Sequence, residues 1–188
     1  MTPDTARLFL GLELSGEARN ALDSVRRELQ AAGSIGKFHS ASLYHLTLVF
    51  LGNTPVSLIP SIERIMNRVP AAPFDLTLSS LGTFKNGSIL WAGVRECPAL
   101  MEYQKSLADA LRKAGFPLEE TGYSPHITLA RQVKTAVPAI EVPRITFPVR
   151  HATLFESTRV EGRLTYLPLY RSVFLERTVD RPRPRAGL

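Results

Sequence analysis

One short phrase, His-x-Thr-Leu, occurs three times in the chain, at His45–Leu48, His126–Leu129 and His151–Leu154. These copies contain three of the four histidines. Successive side chains of a β-strand point to opposite faces, so the histidine and threonine of each copy share one face and the apolar residues share the other. The phrase therefore predicts a half-buried strand that presents an imidazole and a hydroxyl on its outer face.

Two such strands facing one pocket would supply two imidazoles and two hydroxyls. Imidazole gives or takes a proton near neutral pH, so one ring can act as a base while the other acts as an acid. That division suits displacement at phosphorus, where the attacking and leaving oxygens lie roughly in line on opposite sides of the phosphorus atom. Threonine hydroxyls can donate to the non-bridging oxygens. The pattern predicts phosphate-ester chemistry that needs no metal ion.

Each copy taken alone is better explained by an ordinary strand, because threonine favours strands and a surface histidine is common, and it is the recurrence in matched apolar contexts that favours a paired catalytic role. The spacing also leaves open which two of the three copies pair. His39 lies outside the phrase and is predicted to be a loop residue.

Composition limits the class of protein. A length of 188 residues with 44% hydrophobic content suits one domain, or two small lobes that share a core. The net charge of +6 favours anionic partners such as nucleotides or RNA. The single cysteine, Cys97, excludes an internal disulfide and a cysteine-rich metal site. The first residues do not resemble a signal peptide, and no apolar run is long enough to span a bilayer, so we expect a cytoplasmic protein.

Hydrophobic periodicity predicts an α+β chain with about three helices and seven or eight strands. The order strand, helix and histidine strand occurs twice, which would place two like strands across a cleft. We expect residues 1–178 to form one domain and the Arg/Pro-rich residues 179–188 to form a mobile tail. The predicted helices span about 15–32, 55–69 and 98–114, and the main predicted strands span about 8–14, 44–51, 74–84, 88–94, 145–156 and 164–176.

Five longer stretches of sequence, two of which contain a copy of the phrase, occur in this order: Leu8–Leu14, His45–Gly52, Ser124–Arg131, Leu154–Ser157 and Gly162–Leu169. In this order they resemble the bacterial RNA 2′,3′-cyclic phosphodiesterases, which are two-histidine (2H) phosphoesterases, also called 2′-5′ RNA ligases of the LigT type. The resemblance covers about residues 6–176.

The resemblance selects one pair of histidines. His126, with Pro125 before it and Arg131 after it, matches the second motif of the family, and His45 matches the first. His151 falls in the strand that leads to Leu154–Ser157, where the family has no catalytic histidine that aligns. We therefore expect His151 to take no part in catalysis.

The family implies a bilobal, pseudo-symmetric fold with two antiparallel sheets facing a central cleft and helices outside. It also implies hydrolysis of RNA 2′,3′-cyclic phosphate ends to 2′-phosphates, without cofactor or metal, and the reverse 2′-5′ ligation. His45 would be the acid and His126 the base, while Thr47 and Thr128 would hold the phosphate oxygens. The implied partners are RNA ends or small cyclic nucleotides, and we expect a monomer that binds no membrane.

Two further residues are candidates from the family pattern. Phe50 and Arg131 each lie five residues after their histidine. Phe50 is a candidate for contact with the terminal base, and Arg131 is a candidate for contact with the phosphate. An odd offset places them on the opposite face of an ideal strand, so these roles require a strand end or a β-bulge. Core packing is the alternative for Phe50.

Two other functions remain open from the sequence. One keeps the fold and changes the substrate to ADP-ribose cyclic phosphate or a small cyclic nucleotide. The other is a non-catalytic protein that binds RNA ends.

Overall fold

The computed structural model describes residues 4–119 and 122–175. In these ranges the chain forms nine strands and three α-helices. In chain order they are β1 (Thr5–Glu13), α1 (Gly16–Ala31), β2 (Lys37–Phe38), β3 (His45–Pro55), α2 (Ile59–Arg68), β4 (Phe74–Phe84), β5 (Ile89–Val94), α3 (Pro98–Lys113), β6 (His126–Arg131), β7 (Thr146–Val149), β8 (His151–Val160) and β9 (Arg163–Val173).

The strands form two antiparallel halves that meet in the middle of the fold. One half has the order β9-β8-β1-β3 and the other the order β6-β5-β4-β7, with β2 added to β6. The halves are joined at the single pair Leu46–Ile127, between β3 and β6. The predicted α+β, bilobal architecture is confirmed, with the difference that the two sheets touch at one residue pair.

The internal duplication predicted from the sequence is present in the structure. The units β1-α1-β3 and β5-α3-β6 each consist of a strand, a helix and a histidine strand that pairs antiparallel with the first strand. Because β3 and β6 are the innermost strands of the two halves, the duplication brings both histidine phrases to the junction.

The core occupies one face of the sheet. Along β1, the side chains of Leu8, Leu10 and Leu12 are at most 1% exposed. They belong to one apolar cluster with the buried stripe of α1. Burial of each such leucine contributes about 1.5–3 kcal/mol. The alternate residues of β1 face the other way, and this second face of the sheet carries the polar residues of the site.

Helix α1 begins where the sequence predicts. The Ser15 hydroxyl accepts a hydrogen bond from the Ala18 amide at 3.1 Å, which satisfies one of the free amides at the start of the helix. The predicted helices after Pro55 and at Pro98 are also present, with slightly shorter bounds.

The prediction of one continuous strand over residues 145–156 is wrong. It is two strands, β7 and β8, which pair with β4 in one half and with β1 in the other. The chain crosses between the halves at Arg150, whose carbonyl accepts a hydrogen bond from the Phe174 amide at 2.8 Å. The buried apolar positions change phase at the crossing, from Phe147 and Val149 to Ala152 and Leu154, and the prediction of one strand overlooked this change.

The predicted tail at 179–188 lies outside the described residues. Within the described part of the chain, no helix is both long enough and apolar enough to cross a membrane.

Candidate active site

The structure brings the first two histidine phrases together. Leu46 pairs with Ile127 in an antiparallel register. Continuing this register by one residue in each direction sets His45 opposite Thr128 and Thr47 opposite His126. Residues directly opposite in a sheet share a face. All four side chains therefore project from one face at the junction of the two halves, related by a local two-fold pseudo-symmetry.

Both imidazole rings are oriented by the same backbone contact. The Nδ1 atom of His45 lies 2.8 Å from the Leu43 carbonyl oxygen, and Nδ1 of His126 lies 2.8 Å from the Ser124 carbonyl oxygen. A carbonyl only accepts, so Nδ1–H donates in each ring and Nε2 is left for chemistry. In His45, Nε2 lies 3.0 Å from the Thr47 hydroxyl, which donates to the neutral ring.

Aromatic side chains surround the ring of His45. The ring centroids of Phe9 and Tyr166 lie 4.7 Å and 4.9 Å from it, and that of Phe155 lies at 6.2 Å. Burial lowers the pKa of His45 to about 4, because the charged ring loses its hydration. The hydrogen bond to Leu43 opposes this shift, while electrostatic interactions with His39, His126 and Arg131 add to it. The ligand-free ring is therefore neutral at pH 7.

His126 has a different aromatic environment. Phe84 contacts it edge-on, with ring centroids 4.9 Å apart, and Trp91 lies at 6.4 Å. Both neighbours come from the β4–β5 hairpin, whereas those of His45 come from β1, β8 and β9. The two histidines thus have matching backbone geometry but unequal surroundings.

A titration tests the consequence of this burial. We expect the pKa of His45 to be well below 6.5 without ligand and to rise when a phosphate ester binds, because the bound anion supplies the missing counter-charge. An NMR titration of the His45 Cε1 proton, with and without a 2′-nucleotide, measures both values. An unperturbed ligand-free pKa would contradict the burial argument, and a pKa that stays low on binding would exclude His45 as the acid.

A β-bulge brings Phe50 to the face of the site. The register between β1 and β3 shifts twice. At the shift nearer His45, Leu48 is the extra residue, so that Phe50 lies opposite Phe9. The Gln104 side-chain amide donates a hydrogen bond to the Leu48 carbonyl at 3.2 Å, which gives the carbonyl of this bulged residue a partner. Phe50 is 50% exposed, and the Arg7 guanidinium lies 5.0 Å from its ring centroid. The alternative that Phe50 packs in the core is therefore wrong.

An equivalent bulge brings Arg131 to the same face. The register between β5 and β6 shifts so that Leu129 is extra and Arg131 lies opposite Ile89. The Leu129 carbonyl accepts from the His39 amide at 2.8 Å. Arg131 is exposed, and its charge is among those that lower the pKa of His45. Each bulge therefore follows its histidine by three residues and reverses the face of the residue at the fifth position.

The third phrase begins β8, two strands away from β3, and its histidine contacts Glu13, which lies opposite His45 in the register of β1 with β3. His151 Nε2 is 2.9 Å from a Glu13 carboxylate oxygen, and Glu13 also accepts two hydrogen bonds from the Arg171 guanidinium. Burial alone would raise the pKa of Glu13, but the hydrogen bonds from Arg171 and His151 outweigh it and lower the pKa. Across residues 4–119 and 122–175, no group of three or more His, Cys, Asp or Glu side chains could hold a metal ion.

Several residues of the site were not predicted as such. Phe9, Phe84 and Tyr166 contact a catalytic candidate but looked like core or strand residues, although Tyr166 falls in one of the resembling strings. Tyr123 donates its hydroxyl hydrogen bond to the Thr47 carbonyl at 3.1 Å, which ties the loop before β6 to β3. His39 is a loop residue as predicted, yet it is buried.

Comparison with known proteins agrees with this geometry. A family model described as the 2′-5′ RNA ligase superfamily matches residues 14–161. The chain belongs to the 2′-5′ RNA ligase superfamily. Within that superfamily, the RNA 2′,3′-cyclic phosphodiesterase of Escherichia coli K12 is 29% identical over 168 residues, which cover 88% of this chain and 94% of that protein. An enzyme of the same name from Geobacillus stearothermophilus is 33% identical over 135 residues; the match covers 69% of this chain and 43% of that longer protein.

Solved structures of the superfamily show the same fold. The crystal structure of E. coli LigT complexed with 3′-AMP superposes with a TM-score of 0.84 at 27% identity, covering 90% of this chain and 98% of that one. The ligand-free crystal form of E. coli LigT has a TM-score of 0.80 at the same identity.

Proposed function

We propose that this protein hydrolyses RNA ends carrying a 2′,3′-cyclic phosphate to 2′-phosphates, by acid–base catalysis from His45 and His126 without a metal ion. The observation that carries the proposal is the junction at Leu46–Ile127, which sets two equally oriented imidazoles and two threonines on one face. Superfamily relatives named RNA 2′,3′-cyclic phosphodiesterase support the choice of substrate.

In the proposed reaction, Nε2 of His126 removes a proton from water as its oxygen bonds to phosphorus. The bond between phosphorus and O3′ breaks, and Nε2 of His45 supplies the proton that O3′ takes up. The product is a 2′-phosphate with a free 3′-hydroxyl. Because burial keeps His45 neutral in the ligand-free protein, its acid role requires that the bound phosphate anion raise its pKa.

The remaining residues bind the substrate. The hydroxyls of Thr47 and Thr128 donate to the non-bridging oxygens, and the Arg131 guanidinium balances the phosphate charge. On entry of the substrate, Thr47 exchanges its hydrogen bond to His45 for one to phosphate. The exposed ring of Phe50 stacks on the terminal base.

The same site would catalyse ligation when an RNA 5′-hydroxyl replaces water as the nucleophile. The histidines keep their roles, because His126 takes the proton of the 5′-hydroxyl and His45 protonates the departing O3′, and the product is a 2′-5′ linkage. One chain carries both histidines and both threonines, so the proposed site is complete in a monomer.

The proposal is tested by offering the pure protein three substrates in EDTA: an RNA oligomer ending in a 2′,3′-cyclic phosphate, a nucleoside 2′,3′-cyclic phosphate and ADP-ribose cyclic phosphate. We expect hydrolysis of the first two, with 2′-phosphate as the product. Preference for ADP-ribose cyclic phosphate would assign a different substrate. Binding of the RNA end without turnover would make the protein an RNA-end binder, and loss of activity in EDTA would contradict the metal-free mechanism.

A further inference from the structure

Trp91 on β5 lies between the candidate active site on β6 and the neighbouring strand β4. Trp91 lies opposite Thr128 on one side and opposite Gly82 on the other. A Cβ atom at Gly82 would lie 2.2 Å from the indole ring, so the ring lies directly on the glycine. Trp91 is half-buried, and it shares the sheet face of Thr128. The surface that begins at the phosphate site therefore continues across Trp91 onto β4.

A groove lies along β4 next to this glycine. Its cavity has a volume of ≈ 670 Å³ and lies between residues 78–83 of β4 and the segment 137–142. Strand β7 pairs only with residues 74–77 of β4, so the described structure leaves the outer edge of β4 without a partner strand beyond Leu78. Gly82, beneath Trp91, is part of the lining. Five residues of strand span about 16 Å, which is longer than one nucleotide.

The lining of the groove suits a polyanion. Arg95 and Arg144 both line it, both are exposed, and neither makes an ion pair with any of the described residues. Glu141 is the one carboxylate in the lining, which leaves a net positive charge. The hydroxyls of Ser79, Ser80 and Thr83 add hydrogen-bond donors along the strand edge.

The geometry points to a path for the RNA strand: the chain that leads away from the terminal cyclic phosphate passes over Trp91 and lies in this groove, where Arg95 and Arg144 contact its backbone phosphates. This inference rests on the proposed function and adds the surface along which the rest of the RNA strand lies. Guanidinium groups bind phosphate by charge-assisted hydrogen bonds, and an indole face stacks on a base regardless of its identity. Recognition along the groove is therefore independent of sequence.

The double variant Arg95→Gln/Arg144→Gln tests the path. With an RNA hexamer ending in a 2′,3′-cyclic phosphate, we expect kcat/KM to fall about tenfold. The slope of log kcat/KM against the logarithm of the salt concentration should become shallower by about two. With the nucleoside 2′,3′-cyclic phosphate, which does not reach the groove, kcat/KM should stay unchanged. The matched control Arg64→Gln/Arg68→Gln removes the same charge from α2 and should leave both substrates unaffected.

Three results would overturn the path: an unchanged rate on the hexamer, an equal loss on both substrates, or an equal loss in the α2 control. Fluorescence anisotropy with a hexamer ending in a 2′-phosphate measures the affinity of the protein for the RNA without turnover. If wild-type protein hydrolyses neither substrate, the proposed function fails. The groove is then still judged by whether the double variant binds the hexamer about tenfold more weakly, with the shallower salt dependence.

Discussion

His45→Ala and His126→Ala are each expected to lower kcat/KM for a 2′,3′-cyclic phosphate by about 10²- to 10⁴-fold, the range for loss of a positioned general acid or base. Each variant removes one of two rings whose Nδ1–H groups are held by carbonyls 2.8 Å away. The expected losses are alike because neither ring can serve both oxygens of an in-line displacement. Steady-state hydrolysis of a nucleoside 2′,3′-cyclic phosphate provides the measurement.

His151→Ala is the matched control, because this histidine begins the third copy of the phrase. Its ring lies 2.9 Å from a Glu13 carboxylate oxygen, and a partly exposed contact of this kind contributes about 1 kcal/mol or less to stability. We expect kcat/KM close to that of the wild type. Equal damage from all three substitutions would contradict the assignment of catalysis to His45 and His126.

Thr47→Val and Thr128→Val are expected to lower kcat by about 10²-fold each, which is the usual effect of removing one donor to a developing negative charge. Valine keeps the β-branched shape that suits a strand and removes only the hydroxyl. The Thr47 hydroxyl already lies 3.0 Å from His45 Nε2, so it is within reach of the same phosphate. Single-turnover kinetics separate this loss from any change in binding.

The third phrase again supplies the control. Thr153 is fully buried, and its hydroxyl has no hydrogen-bond partner within the described structure. Thr153→Val should therefore keep full activity and be neutral or stabilising towards thermal unfolding. Thr47→Ser and Thr128→Ser, which restore a hydroxyl, should recover most of the lost rate. Failure of serine to rescue would mean that the threonines act through packing.

The duplication and its histidine strands were predictable because strand periodicity is a local property. The alternation at His45–Leu48 and at His126–Leu129 already separates a polar face from an apolar one. The pairing of these two strands was predictable only through resemblance to a family, since spacing does not distinguish His126 from His151.

The features that complete the site depend on contacts between distant segments. The bulges at Leu48 and Leu129 are stabilised by Gln104 and by the His39 amide, which come from other parts of the chain. The low pKa of His45 arises from burial among rings on three strands. The crossing at Arg150 has only one local signal, a change of phase in the alternating apolar pattern between Val149 and Ala152. Sequence periodicity contains no information on the bulges or on the burial of His45.

The pH dependence of kcat/KM, measured for the wild type and for His45→Ala and His126→Ala, tests the central claim most directly. The wild-type profile should be bell-shaped, since one ring must be protonated and the other neutral. Without the acid His45, the residual rate should rise with pH and not fall again; without the base His126, it should fall as the pH rises. A bell-shaped profile that survives in either variant would contradict the account that these two histidines share one phosphate.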